Sequence, residues 1–483
     1  MTWRDYFLLD GLTLLLLLGV AVTAALWAAG HALLHKRDPR SALVWVSISL
    51  TIPVIGALAY WLLGINRITR KAHRLHRHTQ QLTPPRPSFI PPHDSTPLPE
   101  HCASLVNLEV LADRVVRTRT FAGNNVQLLI NGEQAYPAML GAINRATSSV
   151  HLCSYIFDGD NIGAAFVEAL AKAAQRGVTV RVLVDAMGER YSPLTARKAL
   201  QGTAVEVRQY LPLYKGPFIN LRNHRKLLIT DGSLAFTGGM NIRSNHCVTT
   251  TKPSNATSDL HFQVAGPVVA DLQRAFLEDW QFVTGQWIQD SHYFPPLAPC
   301  GEALVRVIAD GPDREFRKLE WIVQGALATA ARRVRIMTPY FIPDRSMVTS
   351  LITAALRGIE ITIVLPHINN LPFVAWASRA SYWELVKNGI TILEQPPPFA
   401  HSKLLLVDDL WCLVGSANLD TRSFRLNFEL NLSVFDQALA KRLNTHFDQT
   451  IARSHRITLQ EMDARPLMVK LRDSAARLFS PYL

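Results

Sequence analysis

Cysteine is scarce in this chain, and the five present (Cys102, Cys153, Cys247, Cys300 and Cys412) are odd in number, widely spaced and form no C-x-x-C pair. That excludes both a disulfide framework and a zinc site. Glycine (25) and proline (28) are at ordinary levels for 483 residues, so collagen-like and low-complexity architectures are out. With 48% hydrophobic and 18% charged residues, a disordered chain is excluded as well. Acid is the minority charge, 38 Asp and Glu against 50 Lys and Arg, and the net charge is +12. Such a balance suits an anionic partner: nucleic acid, an acidic membrane surface or a phosphate-bearing substrate. At roughly 150 residues per domain the length predicts about three units.

Two long uncharged runs lie near the N-terminus, Gly11 to Gly30 and Ser41 to Ile65. Each is long enough to cross a hydrocarbon core about 30 Å thick, which predicts a two-helix transmembrane hairpin. Pro53 and Gly56 do not disqualify the second run, because spanning helices tolerate both. A cleaved signal peptide is the rival reading of the first run; Asp5 and Asp10 near its start and the second run close behind argue against it. Lys36, Arg37 and Arg40 lie between the runs, whereas Arg4, Arg67, Arg70, Lys71, Arg74 and Arg77 lie outside them. By the positive-inside rule both termini and the large domain face the cytoplasm. His73, His76 and His78 have no carboxylate or thiolate beside them and read as part of a juxtamembrane segment touching anionic headgroups. Seven prolines between Thr83 and Glu100 predict an extended linker.

Beyond residue 100 the sequence repeats itself. Val150 to Asp185 reads as strand, amphipathic helix, strand, and Val334 to Pro366 repeats the pattern. Both carry the signature of a β-α-β unit on a parallel, buried sheet, so the fold class is α/β. A sharper match follows. His224-Arg225-Lys226 leads through LLIT to Asp231, then to Gly238 and Asn241, and His401-Ser402-Lys403 leads through LLLV to Asp408, Gly415 and Asn418 at the same intervals. One His, one base, one acid and one Gly at fixed offsets occur by chance roughly once in 10⁵ starts. Asp259 with Leu260 and Val264 also falls in register with Glu429, Leu430 and Val434.

Alternation in a strand puts His224 with Lys226, and His401 with Lys403, on one face, where packing alone has no use for them. Asp231 and Asp408 sit at hairpin turns and read as supports for the strand ends, away from substrate. Asp259 and Glu429 are better placed to orient a histidine. If the halves pack about a pseudo-twofold axis, both His-Lys pairs enter one cleft. Lys226, Lys403 and the amides of Asn241 and Asn418 then hold the nonbridging oxygens of a phosphodiester. A neutral imidazole attacks phosphorus, and a protonated one serves the leaving alcohol. No metal ligand cluster accompanies these residues, and no cofactor is called for.

The doubled H-x-K-x4-D pattern resembles the phospholipase D superfamily. NLRNHRKLLITDG with TGGMNI, DWQFVTG, TPYFIPD, and HSKLLLVDD with VGSANLDTRSFRLNFELN resemble bacterial cardiolipin synthases over nearly the whole chain. The resemblance implies two phospholipase D-like halves and condensation of two phosphatidylglycerols to cardiolipin and glycerol at a bacterial inner membrane. It implies His224, Lys226, Asp231, His401, Lys403 and Asp408 as motif residues, with His224 the nucleophile and His401 the acid/base. The halves differ at Gly239 against Ser416 and at Asp259 against Glu429, which suits unequal roles. The expected layout is spans and basic segment at 1–80, linker at 81–100, first half at 101–295 and second half at 296–483. A hydrolase with water as acceptor and a non-enzymatic anionic-lipid binder are the competing readings. Membrane spans argue against a nuclease or other nucleic-acid partner, and oligomeric state is left open. Pro466 to Ser480 reads as an interfacial helix or a docked surface helix. Trp376, Tyr382 and Trp383 read as core packing in preference to an acyl channel, and His246, His261 and His367, lacking repeat partners, as structural.

Overall fold

A computed structural model describes residues 3–36, 39–64 and 97–480, apart from 117, 193, 213–220, 287, 289 and 313–316, and divides the chain into two units, Met1–Ala72 and His73–Leu483. The basic stretch Arg67 to Arg77, with its histidines, and the Pro-rich segment up to residue 96 lie outside the described residues.

In the N-terminal unit, helix α1 (Trp3–His35) contains the 23-residue segment Thr13–His35, the one described helix long and apolar enough to cross a bilayer. Leu14 to Leu18 and Val20 are exposed, as side chains facing lipid are. The second apolar run is not the continuous span expected. It breaks into α2 (Pro39–Thr51), α3 (Pro53–Ala59) and a π-helical turn at Tyr60–Gly64. Pro53 has no N–H to continue the ladder, and a Cβ on Gly56 would lie 2.2 Å from the Ile48 carbonyl oxygen, so the chain bends sharply there. Ala28, Ala32, Ala57 and Tyr60 pack between the pieces, and His31 Nδ1 lies 2.7 Å from Tyr60 Oη.

The second unit is built on one sheet. From the first half come β1 (Phe121–Ile130), β2 (Ser149–Ser154), β3 (Thr179–Asp185), β4 (Glu206–Tyr210), β5 (Leu227–Thr230), β6 (Leu234–Gly238) and β7 (Leu260–Ala265). The second half repeats them as β8 (Ala303–Asp310), β9 (Arg333–Met337), β10 (Glu360–Pro366), β11 (Thr391–Gln395), β12 (Leu404–Val407), β13 (Trp411–Gly415) and β14 (Asn427–Phe435). Their order across the sheet is β11-β10-β9-β12-β13-β14-β8-β1-β7-β6-β5-β2-β3-β4. With β1 matched to β8, β2 to β9 and so on, the order of these fourteen reads identically from either end; the two-residue strand His455–Arg456, antiparallel to β11, extends one edge without a counterpart. The equivalent strands β1 and β8 meet antiparallel at the centre, as a twofold axis through the sheet requires.

Among these fourteen strands the pairing is parallel only in the outer triplets, β2-β3-β4 and β9-β10-β11, where helix crossovers Asn161–Gln175 and Arg345–Leu356 return the chain. Elsewhere neighbouring strands are joined by hairpins or long loops and run antiparallel, which the β-α-β reading did not anticipate. The unbroken apolar runs LLIT and LLLV follow from burial on both faces. Leu227 and Ile229 enter a core shared by both halves while Leu228 enters the first half's own; Leu404 and Leu406 enter the shared core while Leu405 and Val407 enter the second half's own.

Helices Val269–Thr284 and Gln437–Ile451 cover the shared core with Phe276, Trp280, Leu443 and Phe447. Truncating such a buried aromatic to alanine costs about 3–5 kcal/mol. Helix Val106–Val116, which the expected layout assigned to the first half (101–295), instead packs into the second half's core through Leu108, Ala112 and Val116. It is fastened there by the buried Arg306 of β8, whose guanidinium donates to Glu109 at 2.6 Å and to Asp113. The C-terminal helix Leu467–Arg477 is docked by one face, with Arg472 over Trp376 at 4.6 Å and Phe479 against Phe373 at 5.6 Å, and leaves Leu467, Met468 and Leu471 exposed on the other. Tyr382 is core as expected, whereas Trp383, read as core, is exposed, with Nε1 donating to Asp463 at 2.9 Å.

Candidate active site

Each His-x-Lys segment lies just before its strand, a departure from the in-strand placement expected. β5 starts at Leu227 and β12 at Leu404. The reason is that the other half claims the motif's backbone. The two-residue strand Arg222–Asn223 runs parallel to Asn427–Phe428 of β14, and Phe399–Ala400 runs parallel to Thr257–Ser258. His224 N then donates to the Phe428 carbonyl at 2.9 Å, and His401 N to the Ser258 carbonyl at 2.8 Å. Both motifs are thereby laid against the strand entry that carries the opposite half's carboxylate.

The side chains repeat the exchange. His224 Nδ1 lies 3.0 and 3.1 Å from the Glu429 oxygens, and His401 Nδ1 lies 2.6 Å from Asp259 Oδ2. A carboxylate accepts only, so each Nδ1 carries the proton and each Nε2 keeps its lone pair. Both histidines are buried, with 9% and 8% of their surface exposed. The supports differ. Glu429 also accepts from Ser416 Oγ and from Asn427 Nδ2, the latter at 2.9 Å. Asp259 accepts from the Leu260 amide at 2.8 Å, and a Cβ on Gly239, the position matching Ser416, would lie 2.4 Å from Asp259 Oδ1.

Burial dominates the electrostatics. It pushes His224 down to about 4 and His401 down to about 3, with Lys226 and Lys403 adding to the effect and Glu429 and Asp259 opposing it. Burial also lowers Lys226 to about 7 and Lys403 to about 8. For Asp259 burial works against charge, but Lys403 and His401 outweigh it and hold the carboxyl at about 2; Glu429 is held low in the same way by His224 and Lys226. Lys403 lowers both His224 and Lys226, so the charge of one half is felt in the other. Near neutrality the free site thus has two neutral imidazoles, two carboxylates and lysines poised to lose their protons. Lys226 Nζ donates to the His224 carbonyl at 2.6 Å, and Lys403 Nζ donates to the His401 carbonyl.

Asp231 and Asp408 lie at the far ends of β5 and β12, in left-handed turn conformations with φ of 51° and 53°. Asp231 accepts from the amides of Thr147, Ser148 and Ser149, and Asp408 from those of Ala331, Arg332 and Arg333, at 2.7 to 3.1 Å. They pin the entries of β2 and β9 and do not reach the imidazoles. Gly238 and Gly415 (φ 152° and 154°) pass so close to Leu260 and Leu430 that a Cβ would meet their carbonyl oxygens at 2.7 and 2.3 Å. Asn241 Oδ1 accepts from Ile156 N at 3.2 Å, whereas Asn418 Oδ1 is buried with no hydrogen-bond partner.

Several neighbours of the histidines carry no repeat signal and were missed. The Tyr155 ring stands edge-on to His224 at 5.2 Å and under Lys226 Nζ at 5.4 Å. Tyr340, Phe399 and His246 surround His401 with ring centroids at 6.4, 5.8 and 6.1 Å. His246, read as structural, therefore borders the site. His261 is buried beneath Gly238, and His367 pairs with Glu394 at 2.7 Å. Asn427 was legible in principle, because it shares a strand face with Glu429 two residues on.

Residues 139–280 and 323–451 match a family model described as "Cardiolipin synthase, PLD-like domain", and residues 23–64 match "Phospholipase_D-nuclease N-terminal". A cardiolipin synthase of Geobacillus sp. (strain WCH70) is 31% identical, the alignment covering 99% of this chain and 96% of the relative. The major cardiolipin synthase ClsA of Bacillus subtilis (strain 168) is also 31% identical, over 93% of this chain and 95% of its own. Among solved structures, the phosphatidylserine synthase of Haemophilus influenzae Rd KW20 superposes with a TM-score of 0.63 at 14% identity, covering 79% of this chain and 100% of that one, which speaks to fold alone.

Proposed function

Because the chain belongs to the cardiolipin synthase family of phospholipase D-like proteins, we propose that it is a membrane-anchored phosphatidyl transferase condensing two phosphatidylglycerols into cardiolipin and glycerol. The observation that carries this reading is the crossed pairing of His224 with Glu429 and of His401 with Asp259. Two imidazoles, each oriented by the opposite half, suit two steps at one phosphorus atom.

His224 Nε2, its lone pair exposed by the Nδ1–H to Glu429 bond, attacks phosphorus. The P–O bond to glycerol breaks, and His401 Nε2–H donates its proton to the departing oxygen. His401 must be protonated for this, although burial and Lys403 hold it neutral in the free site. The entering phosphodiester brings the negative charge that offsets the lysines and lets Asp259 stabilise an imidazolium. In the second step His401 takes the proton of the acceptor's hydroxyl, whose oxygen attacks phosphorus and releases His224. Lys226, Lys403 and the amide of Asn418 hold the nonbridging oxygens as charge develops on them. Asp231 and Asp408 act through the backbone they pin. The N-terminal helices hold the enzyme in the bacterial inner membrane, with the catalytic unit on the cytoplasmic side, where the basic flanks of the spans favour it.

Product analysis tests the reading. Purified full-length protein in phosphatidylglycerol micelles, without added metal, is expected to yield cardiolipin and glycerol in equal amounts. Phosphatidic acid as the main product would instead mark a hydrolase, and unchanged lipid a binding protein.

A further inference from the structure

A surface helix of a water-soluble domain turns its apolar stripe inward and its charges outward. The C-terminal helix Leu467–Arg477 is docked the other way round. Its buried residues are Asp473 and Ala476. Asp473 accepts from Arg465 at 2.9 Å and from Arg472 at 2.7 and 3.0 Å, and Ala476 packs with Ile342, Val374 and Ala377, so the rotation of the helix is fixed. Leu478 and Phe479 continue the turn, their amides donating to the Ala475 and Ala476 carbonyls. At about 3.6 residues per turn, Leu467, Met468, Leu471, Leu478 and Phe479 fall within about 120° of arc. All five are 53 to 79% exposed. Lys470 and Arg477 stand along one margin of the stripe.

The stripe does not end with the helix. Phe479 lies against Phe373, and the loop before Phe373 exposes Ile368 and Leu371. That loop follows β10 and is tied to the rim of the site. Asn369 Nδ2 donates to the Pro339 carbonyl at 2.9 Å, and Tyr340 Oη donates to Asn370 Oδ1 at 2.8 Å, Tyr340 being one of the rings beside His401. Across the site Tyr191 and Leu194 are half-exposed, and the Tyr191 ring stands 6.3 Å from Tyr155, the ring against His224. Large apolar side chains therefore flank the site on both sides, at the end of the sheet where β9 finishes at Met337 and β12 begins opposite it at Leu404. Leu356 is as exposed as these but precedes β10, at the other end of the sheet.

We propose that the outward stripe of the C-terminal helix, with the loop at Ile368 and Leu371, docks the catalytic unit on an anionic phospholipid surface and brings the mouth of the site to the level of the headgroups. This rests on the reading above that the substrate is a phospholipid. An apolar stripe with a cationic margin suits acyl chains beneath anionic headgroups. A second copy of the chain suits it less, because an antiparallel helix pair about a twofold axis would set Lys470 and Arg477 against their own like charges. The spanning segment Thr13–His35 keeps a bilayer at hand. A helix lying in the interface buries its apolar face about 5–10 Å into the boundary of headgroups and acyl chains. Substrate phosphates lie at that level already, so a lipid reaches the histidines without drawing its acyl chains into water.

The test uses full-length enzyme in vesicles of phosphatidylcholine and phosphatidylglycerol. Cys247→Ser and Cys300→Ser remove the two cysteines that are not buried, and an environment-sensitive dye is attached at Leu478→Cys or, at the other end of the sheet, at Leu356→Cys. Phospholipid carrying a nitroxide is expected to quench the first dye severalfold more than the second. Equal quenching at the two places overturns the docking face. So does a dye at Leu478→Cys that ignores the nitroxide lipid and responds to the density of protein in the vesicle, which would give the stripe to a second copy of the chain. Quenching as strong in phosphatidylcholine alone overturns the anionic preference. Activity is the second readout. With Leu471→Glu and Leu478→Glu combined, cardiolipin formation is expected to slow about fivefold or more in vesicles and to stay within about twofold of wild type in detergent micelles, where no bilayer has to be docked. Unchanged rates in vesicles, or equal losses in vesicles and micelles, overturn the proposal. A wild type that makes no cardiolipin while its dye at Leu478→Cys is still quenched would overturn the transferase reading and leave the docking in place.

Discussion

The two halves of the catalytic unit agree wherever the backbone must be built and disagree wherever the chemistry must choose a direction. Asp231 and Asp408 collect the same three amides, and Gly238 and Gly415 make the same close approach. Around the imidazoles the agreement ends. Glu429 has Ser416 and Asn427 as extra donors, whereas Asp259 lies directly against Gly239, which brings no side chain to it. Duplication supplies two histidines of equal reach, and local substitutions give them unequal surroundings. Because each histidine is oriented by the other half's carboxylate, neither half holds a complete site.

That dependence is the first thing to break. His224→Ala and His401→Ala are each expected to lower kcat by about 10⁴-fold or more with unchanged circular dichroism. Two independent sites would leave about half the activity in each variant. Glu429→Gln and Asp259→Asn come next, because an amide offers the imidazole a donor as readily as an acceptor and loosens its tautomer. A loss of about 10²–10⁴-fold in kcat is expected, and paired variants such as His224→Ala with Glu429→Gln should show no further loss over the histidine change alone. The reverse pattern, with Glu429→Gln additive to His224→Ala and silent with His401→Ala, contradicts the crossing.

Gly239→Ser, which forces a Cβ against the Asp259 carboxylate, is expected to cost more than Ser416→Gly, which removes one hydrogen bond of about 1–2 kcal/mol and so roughly tenfold in rate. Steady-state rates of the two variants sharpen the asymmetry, and equal losses would erase it. The smallest effect is with pH. Lys226 and Lys403 carry charge below their values of about 7 and about 8 and lose it above them, so KM for phosphatidylglycerol is expected to rise severalfold between pH 6.5 and 9 as each lysine becomes neutral. The first step needs a protonated His401, which burial and Lys403 disfavour in the free site, so kcat/KM is expected to fall as pH rises across that range. A KM that falls as pH rises would contradict the lysine roles.

Much of this was legible in the sequence because repetition leaves a trace. The α/β class, the duplication and the His-Lys pairs followed from spacing alone, and the turn role of Asp231 and Asp408 from the residues beside them. The antiparallel centre of the sheet was hidden, since an apolar run such as LLIT looks the same in either direction. The helix break at Pro53 was hidden because composition measures apolarity and not the hydrogen bonds a proline removes. The crossing of His224 to Glu429 was hidden for a deeper reason. Their separation of 205 positions is spanned only when both halves share a sheet, and no local period encodes that.

One measurement bears most directly on the claim that both imidazoles serve a single phosphorus atom. Wild-type enzyme is mixed with excess labelled phosphatidylglycerol and quenched in alkali, where a phosphohistidine survives, and its peptides are mapped by mass spectrometry. The account predicts at most one phosphatidyl group per chain, carried on His224, with His401 unmodified. Adducts on both histidines, summing to two per chain, would contradict it.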